Sequence, residues 1–88
     1  MSAIDHIPRE ATLILRLNSD ETPSGNDEAY FALIGDGDRD TVVYSLEKDA
    51  NGYYRRRHES RHSHIDSPEQ ARMHVLEGVE ELKRSGQF

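Results

Sequence analysis

The sequence predicts an α+β fold, in which an antiparallel four-stranded β-meander carries one C-terminal α-helix packed on one face. Three observations predict it: four short runs have strand composition, turn formers separate them, and an amphipathic segment with a clear start signal follows the last. The 88 residues predict a single small domain. The strands are expected near residues 12–17, 29–35, 41–48 and 53–58, and the helix over residues 68–84.

The first strand is predicted from alternation. Leucines alternate with Thr12, Ile14 and Arg16 over residues 12–17, the period of a strand with one buried side. Residues 1–11 before it carry no predicted element and form an N-terminal arm that is free to be flexible. Residues 18–28 after it are rich in turn formers and acids, so we expect an exposed acidic loop there.

The two middle strands are predicted as a hairpin. Residues 30–34 and 41–46 contain aromatic and β-branched side chains, and the Gly/Asp-rich residues 35–40 separate them. A second turn at residues 49–52 ends in Gly52, which tolerates a positive φ. The chain is therefore expected to double back into a fourth strand that begins at Tyr53 and extends toward His64.

The helix has the clearest local signal. Ser67 is a capping residue, Pro68 suits the first helical position, and Gln70 completes a capping-box pattern. A narrow arc at helical spacing is predicted to pack on the sheet, with Gly78 as a point of close approach. The arc consists of Ala71, Val75, Val79 and Leu82.

Met73 and Leu76 lie away from that arc. A chain of this length buries little apolar surface alone, so a homodimer is expected, and these two residues are the predicted dimer contact. The alternative is a pair of exposed apolar residues without a role.

The basic segment, residues 53–64, is the strongest candidate for a binding site. It holds four arginines, three histidines and one acid, in a chain with a net charge of −6. Such charge separation is typical of a surface that meets a charged partner or pairs with the protein's own acids. The predicted partner-binding residues are Tyr53, Tyr54, Arg55, Arg56, Arg57, His58 and Arg61.

Three interpretations of the basic segment compete. Its arginines pair with the protein's own acids of residues 36–49, contact another protein, or bind nucleic acid. Strand alternation would place Tyr53, Arg55 and Arg57 on one face. It would place Tyr54, Arg56 and His58 on the other face.

Nucleic acid is the less favoured partner. Strands followed by a capped helix, with Gly52 before the aromatic-Arg run and residues 65–71 entering the helix, resemble the layout of small sheet-reading DNA-binding domains. The resemblance is one of architecture and covers no family motif. The net charge of −6 opposes binding by counterion release.

Two patterns resemble metal sites, but neither predicts one. The histidines at 58, 62 and 64 cannot all be aligned by one regular element, and zinc needs three or four converging ligands. Acids at 36, 38, 40 and 47 have calcium-loop spacing, but Thr41 stands where that loop needs glycine, so an acidic turn is preferred. We predict no metal and no cofactor.

Catalysis and membrane insertion are not predicted either. There is no Cys, no phosphate-cradling glycine loop, no nucleophile elbow and no run of about 20 apolar residues. The start of the chain has neither a basic nor a long apolar stretch, which predicts a cytoplasmic location. The sequence thus predicts a small, acidic, non-enzymatic accessory or regulatory protein that acts through protein–protein interaction, with nucleic-acid binding through residues 53–64 as the alternative.

Overall fold

The fold is an antiparallel sheet with one helix, seen in a computed structural model that describes residues 7–22 and 24–85. The strands pair in the order β1-β2-β3-β4, so β1 and β4 are the edges. This confirms the predicted α+β meander. The elements are β1 (Thr12–Leu17), a short 3-10 helix (Ser19–Glu21), β2 (Glu28–Leu33), β3 (Thr41–Lys48), β4 (Tyr54–His62) and α1 (Pro68–Arg84).

The limits of β1, β3 and α1 agree with the predicted ones, whereas β2 and β4 differ. β2 begins at Glu28 and ends at Leu33, two residues before the predicted end. β4 begins at Tyr54 and continues to His62. It extends beyond the predicted residues 53–58 toward His64 because it pairs with β3 along the whole length of that strand. The pairing runs from Thr41 opposite His62 to Lys48 opposite Tyr54.

The main core lies between the sheet and α1, on what we call the helix side of the sheet. The predicted core positions Ala71, Val75 and Val79 of α1 are buried there. Burial of this stripe supplies the hydrophobic free energy that holds the helix on the sheet. The other buried members of the cluster are Leu17, Ala32, Val43 and Ile65.

A second, smaller cluster lies on the opposite, outer side of the sheet. Val42, Tyr44 and Leu46 of β3 are buried there, and Ile7 and Ala11 pack against them. β3 is therefore buried on both sides, which explains why all six residues from Thr41 to Leu46 are buried. Part of the predicted N-terminal arm thus covers the outer side, and residues 1–6 lie outside the described residues.

A bulge in β1 overturns the predicted alternation of its leucines. Leu13 pairs with Phe31 and Leu15 pairs with Tyr30, so Ile14 has no opposite residue. Because side chains alternate along a strand, an extra residue reverses the side of the sheet that side chains beyond it would otherwise face. Leu13 consequently faces away from the helix side and is 45% exposed, whereas Leu17 is buried in the main core.

Two predicted helix contacts are wrong. Leu82 is 40% exposed, and a Cβ built on Gly78 meets nothing within 4 Å, so Gly78 is not a point of close approach. The reason is the position of α1, which runs closest to β1. The face of the helix that points toward β4 therefore stands over a groove.

Hydrogen bonds hold the start of α1 in place. Ser67 Oγ accepts from the Gln70 N–H at 3.2 Å, as predicted, but the Gln70 side chain accepts from the Asp66 N–H and not from Ser67. Buried Thr41 Oγ1 donates to the Ile65 carbonyl and accepts from the Gly35 N–H. These bonds join the connection before α1 to β3. In the described part of the chain, no helix has the length and apolarity needed to cross a membrane.

Candidate functional site

The seven predicted partner-binding residues all lie on or beside β4. Tyr53 directly precedes the strand and is 46% exposed, and the others fall within it. β4 is an edge strand, and no described strand pairs with its outer edge. An exposed edge presents backbone donors and acceptors that can pair with another chain.

A bulge decides which side chains of β4 share a face. His58 stands opposite Ser45 and Arg56 opposite Leu46, so Arg57 is the extra residue. The predicted grouping of His58 with Tyr54 and Arg56 is therefore wrong. His58 lies on the helix side with Ser45, whereas Arg56 shares the outer side with Leu46.

Each arginine of β4 contacts a carboxylate. Arg55 Nε lies 2.8 Å from Asp49 Oδ2, and Arg57 Nη1 lies 3.6 Å from Glu47 Oε1. These are the predicted pairs with the acids of residues 36–49. Arg56 and Arg61 instead contact Glu59 of their own strand, at 3.4 and 3.8 Å.

Asp49 organises the turn that leads into β4. Its Oδ1 accepts from the backbone N–H groups of Asn51 and Tyr53. The hydrogen bond from Arg55 and these backbone bonds hold the pKa of the Asp49 carboxyl below its usual value, because they favour the charged form. The turn and the first arginine are thus coupled.

Glu28 is a buried acid that the sequence placed in the exposed loop. Its side chain is 1% exposed, and Arg57 Nη1 donates to its Oε2 at 2.9 Å. Ser24 Oγ donates to the same oxygen at 3.1 Å, and Tyr30 Oη donates to Oε1 at 2.6 Å. The pKa of Tyr30 is raised, first by burial and then by this hydrogen bond to the carboxylate. The start of β2 thus holds an anchored arginine of β4.

A groove lies between α1 and strands β2–β4, where the helix stands away from the sheet. Its volume is about 320 Å³. Its apolar lining comes from β3 and α1, and its polar lining comes from β2, β3, β4 and α1. The apolar residues and glycine are Val43, Val75, Gly78, Val79 and Leu82, and the polar residues are Tyr30, Ser45, His58, Ser60, His62 and His74.

His62 and His74 meet in this groove and connect β4 to α1. Their ring centroids are 4.4 Å apart, with an angle of 62° between the planes. His62 Nε2 is 2.7 Å from Ser60 Oγ. Burial lowers the pKa of His62, and the neighbouring His74 and His64 lower it further, because both disfavour the imidazolium. His74 is a site residue that the sequence analysis missed, since only tertiary packing brings it to His62.

The fold is expected to lose stability as the pH falls below 6.5. The pKa of His62 in the folded chain lies below its ordinary value of 6.5. The unfolded chain therefore binds more protons, and the free energy of unfolding decreases as the pH falls from 6.5 toward the pKa in the folded chain. Urea unfolding at pH 7.5 and 5.5 measures this loss. His62→Gln is expected to reduce it, and an equal loss in that variant would contradict the assignment to His62.

The two predicted metal-like patterns have other roles. His58 and His62 line the groove, and His64 does not. Among residues 7–22 and 24–85, no group of three or more His, Asp or Glu side chains is placed to hold a metal ion. Glu47 lies in β3 opposite Arg55. It therefore belongs to the charge pairs of β4 and not to the turn at residues 36–40.

The predicted dimer contact lies on the opposite face of α1. Met73 is 58% exposed and Leu76 is half-buried. Three glutamates and one arginine surround them: Glu77, Glu80, Glu81 and Arg84. The contact stays a prediction, although a symmetric dimer there would bring like charges together.

Comparisons of the chain with protein-family models, curated proteins and solved structures found no match.

Proposed function

We propose that the chain is a small non-enzymatic accessory or regulatory protein. It forms a homodimer and binds another protein through β4. The observation that carries this proposal is the charge pattern of β4. Its four arginines lie along an exposed edge, and each already contacts a carboxylate of Asp49, Glu59 or Glu28. A surface of mixed charge beside an edge that pairs with no described strand suits a protein strand, which pairs along the edge and matches both signs of charge.

Nucleic acid is the second candidate, and the ion pairs argue against it. A phosphate would have to replace Asp49 at Arg55 and Glu28 at Arg57. It would also approach a chain with a net charge of −6. Both effects weaken an interaction that depends on positive charge and counterion release.

The edge of β1 supports the homodimer. Natural edge strands are usually protected by charge, yet only Arg16 is charged among the six residues of β1. Leu13 is 45% exposed on this strand. Antiparallel pairing of β1 with its copy would cover Leu13 and extend the sheet across both protomers. We infer that this edge is the dimer contact, in preference to Met73 and Leu76.

Light scattering tests the dimer. The wild-type chain is expected to have the mass of a dimer, and Leu13→Lys the mass of a monomer, because a charge would oppose strand pairing at the edge. Met73→Lys is the matched control and should stay dimeric. Dissociation by Met73→Lys alone would assign the contact to α1, and a monomeric wild type would overturn the dimer.

Charge reversal at Arg61 tests the β4 interaction. The Arg61 side chain is 69% exposed, so Arg61→Glu changes the surface and leaves the core intact. Arg84→Glu is the control, because it makes the same charge change on the far face of α1. The measurement is quantitative cross-linking in extract of the native cells. We expect one protein that is captured in equal amounts by the wild type and by Arg84→Glu. Arg61→Glu is expected to capture at least about tenfold less of that protein.

A fluorescent DNA and RNA pool decides between the two candidate functions. No complex is expected with the wild type at about 0.15 M salt. A salt-sensitive complex that is lost in Arg61→Glu would overturn the protein-binding proposal in favour of nucleic acid. In the cross-linking experiment, equal capture of every protein by the wild type, Arg84→Glu and Arg61→Glu would show that β4 is not the contact.

A further inference from the structure

The groove between α1 and β2–β4 differs in charge from the rest of the chain. The sequence contains seventeen acids and eleven Lys or Arg residues. None of the groove-lining residues is acidic, and three are the histidines 58, 62 and 74. The groove around Met73 and Leu76 on the opposite face of α1 is, by contrast, lined by three glutamates. An anion would therefore meet less repulsion beside His62 and His74 than along that face of the helix.

The groove has both an apolar and a polar lining. Val43, Val75 and Val79 are buried core residues whose surfaces form the apolar part, and the exposed Leu82 extends it. Hydroxyl and imidazole groups provide the polar part. A volume of about 320 Å³ lies at the small end of the range of ligand sites, roughly 300–1,000 Å³. Such a lining fits a small molecule with a hydrocarbon body and one polar head.

We propose that this groove binds a small apolar monocarboxylate, with its hydrocarbon part against Val43, Val79 and Leu82 and its carboxylate beside His62 and His74. The inference is independent of the protein partner proposed for β4. The two imidazoles offer N–H donors from β4 and from α1, and Ser60 Oγ lies 2.7 Å from His62 Nε2. A carboxylate accepts hydrogen bonds from both rings at once.

A phosphate is less suitable than a carboxylate at this position. Phosphate recognition generally uses arginine forks or helix N-termini, and the lining contains neither Arg nor Lys. Arg57 directly precedes the groove-lining His58, but its guanidinium contacts Glu28 and Glu47. A single negative charge can be matched by one imidazolium, whereas a doubly charged phosphate would be left without enough positive charge.

Binding is expected to take up protons. Four ionisable groups surround His62. Two come from its own segment, one from α1 and one from β2: His58, His64, His74 and Tyr30. β3 contributes the neutral Ser45. In the free groove, burial and the neighbouring histidines hold the pKa of His62 below its ordinary value. A bound carboxylate favours the imidazolium, so it raises that pKa and binds more tightly as the pH falls.

Calorimetry with sodium octanoate tests the proposal, with octan-1-ol as the neutral probe. Octanoate is expected to bind one per chain, several-fold more tightly at pH 6 than at pH 8, and more tightly than octan-1-ol at pH 6. His74→Phe keeps a ring at this position and removes its imidazole nitrogens, so it should weaken octanoate binding and reduce its pH dependence. Equal affinity for octanoate and octan-1-ol, or no octanoate binding at millimolar concentration, would overturn the carboxylate site.

A filled groove provides the structural control. A Cβ added at Gly78 meets nothing within 4 Å, so the ring of Gly78→Phe can extend from the helix into the groove. Glu77→Phe is the matched control, because Glu77 faces the other groove. Octanoate binding should disappear in Gly78→Phe and persist in Glu77→Phe, with circular dichroism confirming that both variants fold. Equal loss in the two variants, or an octanoate-induced change in the NMR signals of Met73 and Leu76 instead of His74, would contradict the assignment.

Discussion

Leu46→Ala is expected to lower the free energy of unfolding by about 3 kcal/mol, as measured by urea denaturation. Leu46 is fully buried in the central strand β3. It belongs to the small cluster on the outer side of the sheet, with Val42 and Tyr44. Removal of its side chain leaves a cavity that few neighbours can fill, because no helix among the described residues covers this side.

Leu13→Ala is the control for this prediction. It deletes the same atoms from a leucine that is 45% exposed in the single chain, so a change below about 1 kcal/mol is expected at a protein concentration where both variants are monomeric. If Leu46→Ala cost no more than Leu13→Ala, the outer cluster would not be a core. The packing of residues 7–11 on that side would then contribute nothing to stability.

Arg57→Ala is expected to lower the free energy of unfolding by about 2 kcal/mol. Arg57 donates to Glu28 at 2.9 Å, and the Glu28 side chain is only 1% exposed. Loss of the guanidinium leaves a buried carboxylate with only the hydroxyl donors of Tyr30 and Ser24. The Arg57 side chain itself is 50% exposed, so the cost stays below that of a fully buried ion pair.

Arg56→Ala is the matched control, because Arg56 belongs to the same strand. It contacts Glu59, whose side chain is 35% exposed, and such surface pairs contribute about 1 kcal/mol or less. In the Arg57→Ala background, Glu28→Gln is expected to restore part of the lost stability by removing the uncompensated charge. A double variant less stable than Arg57→Ala would show that the carboxylate is satisfied without Arg57.

Arg57 is consequently a poor choice for identifying the binding surface. A variant at Arg57 disturbs the Glu28 network and can lose binding because the fold is weakened. Arg61 reports on the surface alone, since its side chain is 69% exposed and its nearest carboxylate is 3.8 Å away. Comparison of the two variants separates an anchoring arginine from a contacting one.

Local sequence signals determined the meander and the limits of β3 and α1. β3 is a run of β-branched and aromatic residues between two turns, and Ser67 with Pro68 defines the start of the helix within four residues of chain. The helical period predicted the buried positions Ala71, Val75 and Val79, but it also predicted Leu82, which is 40% exposed. The interactions that specify these features lie within one turn or one strand, so the sequence could predict them.

The tertiary structure alone decided which side chains meet. The bulges at Ile14 and Arg57 depend on how each strand pairs with its neighbour, and they reversed the predicted facing of Leu13 and His58. Glu28 entered β2 and became buried because Arg57, 29 residues away, could compensate its charge. The groove exists because α1 runs nearest to β1 and leaves His74 beside His62. Register, charge compensation and helix placement are set by contacts between distant segments, which no local pattern records.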